Sequence, residues 1–235
     1  MNLKNYLSLI QSFVDKGYEF KFFSDKITEK KNLLLRHDVD FDVMLSLMLA
    51  QHEHSNLIRS TYFFMLRSDS YNILTPQNIE AVKKINAMGH DISLHFDAII
   101  YEDYSSGLLF ELDLFNKLFG VYPKVISIHR PGKKFLEGMD VGVSHTYEKK
   151  YLKDIKYISD SGGRFKYGHP IDSDAFLIND SIHLLLHPIW WLTEGDINIS
   201  KLKTYYKYRC AALSGHFSLN CVPWKEYVEG QNEIT

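Results

Sequence analysis

The chain has 235 residues, 45% hydrophobic and 24% charged, with 27 Lys plus Arg against 29 Asp plus Glu for a formal net charge of −2. That length can bury a sizeable core, as one large domain or two small ones. The near-neutral balance makes no electrostatic case for nucleic acid or an anionic membrane as partner. The two cysteines, Cys210 and Cys221, stand in no metal spacing, imply no disulfide framework, and read as structural. The first twenty residues lack a basic stretch followed by a long apolar one, and no window offers about 18 uninterrupted apolar residues. The expectation is a cytoplasmic protein with reduced thiols and no membrane span.

In chain order, Leu3, Tyr6, Leu7, Ile10, Phe13 and Val14 fall at helical spacing, with Gly17 as a stop. Residues 32–36 predict a fully buried strand. The stretch DVMLSLMLAQHEHSN predicts a helix ending near Asn56, and a β-rich run follows around Tyr62–Leu66. A helix over LTPQNIEAVKKINAMG has Thr75 as N-cap, Pro76 in the first turn and Gly89 at the end. HDISLHFD reads as a short strand, SSGLLFELDLFNKLFG as a helix closed by Gly120, and KVISIH as a strand before an RPG turn. DIKYISDSGG and SIHLLLHPIWW supply two more strands, and residues 200–220 predict a helix. Strands alternating with helices argue for an α/β fold with a mainly parallel sheet, open or closed into a barrel. With no linker, repeat or low-complexity segment, residues 1–235 read as a single domain.

The polar residues of interest share one kind of place. Asp38 and Asp40 follow the first strand in LLLRHDVDFD. His95 and Asp97 close the HDISLHFD strand, His129 and Arg130 follow KVISI, Asp160 follows KYIS, and His187 follows SIHLLL. In α/β sheets and barrels the ligand site lies at the carboxyl ends of the strands, so five strand ends could converge on one cleft. Asp38 and Asp40, two apart in extended chain, point to one face, which favours metal binding or acid–base work. Asp42 reads as a helix N-cap. Each histidine alone is more often a satisfied core or surface residue than a ligand; their repetition at successive strand ends favours function. His52, Glu53 and His54 lie too close in sequence to share a helix face and read as a solvated helix end. His90 starts its strand, on the side away from the site, and His183 falls near the opposite end of its own strand. Trp190 and Trp191 could stack on a sugar ring or plug the core, and the pair is expected to divide between those roles.

These motifs, in this order over about residues 32–191, resemble the polysaccharide deacetylases of the NodB-homology type, the carbohydrate esterase family 4 group. LLLRHDVD is similar to the family's first motif, GHDISLHFD to the second, SIHRPG to the third, SDSGG to the fourth and LLLHP to the fifth. The resemblance implies a distorted (β/α) barrel, mainly of parallel strands, that holds a divalent metal, most commonly zinc. It implies Asp38 as general base, Asp40 and His95 as metal ligands, Arg130 orienting Asp38, Asp160 holding Arg130, and His187 as general acid. The family's second metal histidine would fall at Ile99, which cannot ligate. His129 is the candidate replacement and Asp97 the runner-up; an Asp40/His95/His129 set keeps the O and N donors that zinc uses.

What the resemblance implies for function is removal of an N-acetyl or other N-acyl group from an amino sugar. The substrate is expected in nucleotide-linked, lipid-linked or polymeric form, within surface polysaccharide (O-antigen or capsule) biosynthesis. Two rivals stand beside it. One is a related metal-dependent hydrolase of a formyl group or cyclic amide. The other is a catalytically inactive carbohydrate-binding protein with a vestigial site, suggested by Ile99.

Overall fold

The computed structural model describes residues 1–28 and 30–232. In chain order the elements begin with α1 (Leu3–Asp15), β1 (Glu19–Phe20), β2 (Asn32–Val39), α2 (Val43–Ser55), β3 (Thr61–Phe64), α3 (Pro76–Ala87) and β4 (Asp91–Phe96). They continue with α4 (Tyr104–Phe119), β5 (Val125–Ile128), α5 (Lys133–Leu136), β6 (Ser144–His145), α6 (Lys149–Leu152), β7 (Lys156–Ser159) and α7 (Asp174–Leu177). The last are β8 (Ile182–Leu186), α8 (Pro188–Leu192), α9 (Asn198–Asn220) and α10 (Val222–Asn232).

Every pairing between these strands is parallel, in the order β6-β5-β4-β3-β2-β8-β7, with β1 added beside the start of β2. All sequence neighbours except β6 and β7 are therefore sheet neighbours, and β8 comes back to pair with β2. The result is a curled half-barrel with helices in the connections, a distorted (β/α) barrel as the sequence resemblance implied. The seam lies between β6 and β7, which share no ladder among the described residues.

Local chemistry agrees with most of the sequence reading. Asp42 caps α2 by accepting from Met44 N at 2.7 Å, and Thr75 caps α3 ahead of Pro76. Gly120 ends α4 at φ +71°, a left-handed position that glycine occupies without steric cost. One strand is longer than expected: β2 runs through Asp38 to Val39, and all eight of its residues are buried. Two charged side chains can sit in that strand because they satisfy each other, as described below.

The alternation of β2 separates two environments. His37 points outward and meets Glu53 of α2, while Arg36 and Asp38 point into the barrel. Glu53 is not the solvated helix end expected from the sequence; it is 1% exposed. Its Oε1 accepts from Tyr6 Oη and lies 2.8 Å from His37 Nε2. Its Oε2 accepts from Ser60 Oγ at 2.6 Å and Tyr62 Oη at 2.7 Å, with His90 Nδ1 3.6 Å away. One carboxylate thus ties together α1, α2, β2, the start of β3 and the start of β4. Burial acts to raise its pKa, but His37, His90 and the hydroxyl donors outweigh it and bring it down to about 2.

A carboxylate depressed in the folded state stabilises the fold above its unfolded pKa, and that contribution is lost as pH falls through the folded value. Glu53 is therefore expected to supply on the order of 3 kcal/mol above about pH 4.5, lost on descending towards pH 2. Denaturant unfolding at pH 7, 4.5 and 3 should show this slope in the native chain and a flatter one in Glu53→Gln. Equal slopes in both would show that Glu53 is not the acid-sensitive element.

The chain divides into two compact units, Met1–Leu192 and Thr193–Thr235. The first holds the whole sheet. In the second, α10 packs back on α9, with Phe217 and Trp224 edge to face at 5.6 Å and Trp224 Nε1 donating to Ser214 Oγ at 3.2 Å. Cys210 and Cys221 are exposed there, not structural core residues. No helix among the described residues is long and apolar enough to cross a membrane.

Candidate active site

The carboxyl ends of β2, β4, β5, β7 and β8 meet on one side of the sheet. Asp40 is the first residue past β2, His95 the penultimate residue of β4, and His129 the first past β5. Asp160 is the first past β7 and His187 the first past β8. Backbone hydrogen bonds hold these exits: His129 N donates to Phe96 O at 2.8 Å and Asp160 N to Leu185 O at 3.1 Å. Tyr71 Oη donates to Val39 O at 2.8 Å and accepts from Met65 N at 2.9 Å, pinning the end of β2 just before Asp40.

Asp40, His95 and His129 each aim one ligand atom at the same point, and those atoms lie within 4.8 Å of one another. His95 Nε2 is 3.1 Å from Asp40 Oδ1 and 3.1 Å from His129 Nδ1, and His129 Nδ1 is 3.6 Å from Asp40 Oδ1. Ligands at about 2.0–2.1 Å in a tetrahedron are separated by about 3.3 Å, so the three spacings bracket what a zinc ion requires. Asp40 Oδ1 is buried and makes no well-aligned hydrogen bond, its polar neighbours being the ring nitrogens of His95 and His129, which suits it to meet a cation between them. Burial, with the neighbouring His95, lowers the His129 pKa, so its imidazole is neutral and able to ligate. The residues present fit a divalent metal. Asp97, the other candidate, is engaged elsewhere: it accepts from Arg130 Nη2 and from Ile99 N at 3.3 Å.

Asp38 lies beside this triad, its Oδ2 3.6 Å from His95 Nε2. Its partner is Arg36, not Arg130. Arg36 donates to Asp38 through Nε at 2.8 Å and Nη2 at 2.6 Å, a bidentate fork, and both side chains are buried. Ser127 Oγ adds contacts of 3.3 Å to both Asp38 oxygens, and Tyr147 Oη accepts from Arg36 Nη2 at 3.2 Å. The reason is spacing: two residues apart on one strand, Arg36 and Asp38 share the inward face. Burial acts to raise Asp38, but the guanidinium outweighs it and holds the carboxyl well below the usual carboxylate range. Sequence reading missed Arg36, although it stands within the quoted LLLRHDVD and the period-2 rule places it.

Asp160 likewise does not hold Arg130. It is wholly buried and accepts from His187 Nδ1 at 2.6 Å, from His187 N at 3.1 Å and from Trp191 Nε1 at 2.8 Å. His187 Nε2 then faces the triad, 3.7 Å from Asp40 Oδ2. Burial acts to lower the His187 pKa, but Asp160, then Asp40 and Asp38, outweigh it and raise the imidazole to about 9. The expected division of the tryptophans fails. Both are buried: Trp191 packs edge-on to Tyr6 at 5.5 Å, and Trp190 lies near Phe41 at 6.4 Å. With Trp191 committed to Asp160 and the core, neither offers an open ring face. His90 and His183 lie away from the site as expected, His90 beside Ser60 and His183 beneath Tyr151 O.

The class defined so far is a parallel (β/α) barrel carrying a carboxylate–histidine constellation at the carboxyl ends of its strands. No family model matches the sequence, and no curated protein matches it. Among solved structures, the chain is similar to the chitin deacetylase from Colletotrichum lindemuthianum, at 15% identity and a TM-score of 0.47 over 77% of this chain and 85% of that one. It is also similar to a family 4 carbohydrate esterase from Bacillus anthracis, at 15% identity and a TM-score of 0.44, covering 88% and 86% of the two chains. A family 4 acetyl xylan esterase from Clostridium thermocellum, in complex with a cobalt ion, follows at 14% identity and 0.42, covering 80% and 90%.

Proposed function

We propose that this protein is a metal-dependent hydrolase that removes an N-acyl group, most simply acetyl, from an amino sugar. The observation that carries the reading is a pair of oppositely partnered groups around one donor triad, a carboxylate forked by a guanidinium and an imidazole backed by a buried carboxylate. Asp38 is held ionised by Arg36, and His187 is held protonated by Asp160; both face Asp40, His95 and His129. Two titratable groups pushed apart by their surroundings are the signature of an acid–base pair.

Asp40, His95 and His129 would hold the metal, zinc being the ion that suits one carboxylate and two imidazoles with a position left open. Bound there, it would supply Lewis acidity towards the amide carbonyl and favour ionisation of water near neutral pH. The chain's own residues supply the proton movements. Asp38 takes a proton from the attacking water, and Arg36 and Ser127 keep its oxygens oriented for that transfer. His187 donates from Nε2 to the departing amine nitrogen, while Asp160 fixes the ring through Nδ1 and stabilises its charge. Surface polysaccharide assembly is the setting in which this substrate is expected.

Acetate release from N-acetylglucosamine oligosaccharides by zinc-supplied protein tests the reading. Asp38→Asn, nearly isosteric, is expected to bring release to background with the chain still folded. Release by that variant at the native rate would remove Asp38 from the role of base.

A further inference from the structure

With Arg36 holding Asp38, the second arginine of the site is left with another partner and another outlook. Arg130 directly follows His129 at the end of β5, and its guanidinium meets Asp97 through one nitrogen, Nη2. Asp97 is 4% exposed and comes from the end of β4, so the pair spans two adjacent strand ends of the site. The Arg130 side chain itself is 57% exposed. One end of the guanidinium is therefore anchored by a buried carboxylate while the rest faces solvent beside the metal triad. Its backbone sits at φ +47°, a left-handed conformation that a non-glycine side chain adopts at a cost. Backbone of that kind is kept where the surroundings impose it, most often at ligand sites. Lys133 and Lys134 follow three and four residues later, at the start of α5.

We infer that Arg130 binds an oxyanion on the substrate, so that the amino sugar is an anionic one, bearing phosphate or carboxylate close to the N-acyl group. A guanidinium suits this better than an ammonium, because its planar fork matches both oxyanions in two-point contact. Anchoring by Asp97 removes much of the entropy such a long side chain would otherwise lose on binding. The inference rests on the site being one for an N-acyl amino sugar, and it names the class of that sugar.

Binding by calorimetry separates this from the hydrolase reading. The probes are N-acetylglucosamine, its 1-phosphate, UDP-N-acetylglucosamine and N-acetylglucosaminuronic acid, each with zinc-supplied protein. At least one anionic probe is expected to bind about 10-fold or more tightly than the neutral sugar. Preference for the two phosphates points to a nucleotide- or lipid-linked substrate; preference for the uronate points to a sugar carboxylate. Arg130→Gln should erase the preference without loss of bound zinc, and Arg130→Lys should keep part of it as a point charge. Equal binding of neutral and anionic probes, no binding of any, or a preference intact in Arg130→Gln would overturn the inference. Absent acetate release alongside an Arg130-dependent anion preference would count against the hydrolase reading alone.

Discussion

Purified protein supplied with zinc is expected to hold about one equivalent per chain, and His129→Ala is expected to lose it. The three donor atoms stand 3.1–3.6 Å apart, and Asp40 Oδ1 is buried with no well-aligned hydrogen bond. Removing one of three protein ligands should weaken the ion by more than the about 10–100-fold typical of lost supporting contacts. His95→Ala and Asp40→Ala should behave in the same way. Asp97→Asn should retain the metal, because Asp97 is engaged with Arg130 rather than the triad. Hydrolysis should disappear on chelation and return on adding zinc or cobalt. Elemental analysis beside an acetate assay decides the matter. A native chain that binds no metal would remove the hydrolase mechanism and leave the sugar-binding relic. Metal lost in Asp97→Asn but kept in His129→Ala would move the third ligand to Asp97.

The second large effect belongs to His187. His187→Ala is expected to slow acetate release by about 10²–10⁴-fold, the range for loss of a positioned general acid. Its partner makes the sharper test. The His187 imidazole is raised to about 9 because Asp160 and the site carboxylates overcome the lowering effect of burial. Native activity should therefore decline as pH rises through about 9, where the acid loses its proton. In Asp160→Asn burial remains while the main opposing charge is gone, so the basic limb should move down towards the usual histidine value of about 6.5. A purely structural Asp160 would lower activity at every pH and leave the limb in place. Stability follows the same sign. A histidine raised in the folded state stabilises below its unfolded pKa, and that contribution fades as pH climbs through about 9.

Much of the site was legible because parallel strands repeat one geometry. Each polar residue at the end of an apolar run marks a strand's carboxyl end, and the βαβ connection returns every strand in the same direction. That is why Asp40, His95 and His129 could be named together from sequence and are found within 4.8 Å. The pairings among the charged residues were less legible. Arg130 and Asp160 had been expected to meet, yet one faces Asp97 and the other His187. Charge partners depend on which strands are neighbours and how far each side chain reaches: β4 with β5 brings Asp97 to Arg130, and β7 with β8 brings Asp160 to His187. Glu53 was misread for a related reason. Helix periodicity says which residues share a face, but the five groups that converge on Glu53 come from separate parts of the chain.

The amino-acid sequence by itself determined the alternation of helices and strands, the mainly parallel pairing and the strand-end location of the polar residues. These follow from hydrophobic period, turn and cap residues, and the two-residue repeat of extended chain, all local properties. Only the tertiary structure decided that Arg36 and not Arg130 holds Asp38, that Asp160 serves His187, that the tryptophans are core, and that the chain separates at Leu192. Those outcomes turn on burial and on distances between strands. A buried charge takes whichever opposite charge the fold brings within about 3 Å, however far away it lies in sequence.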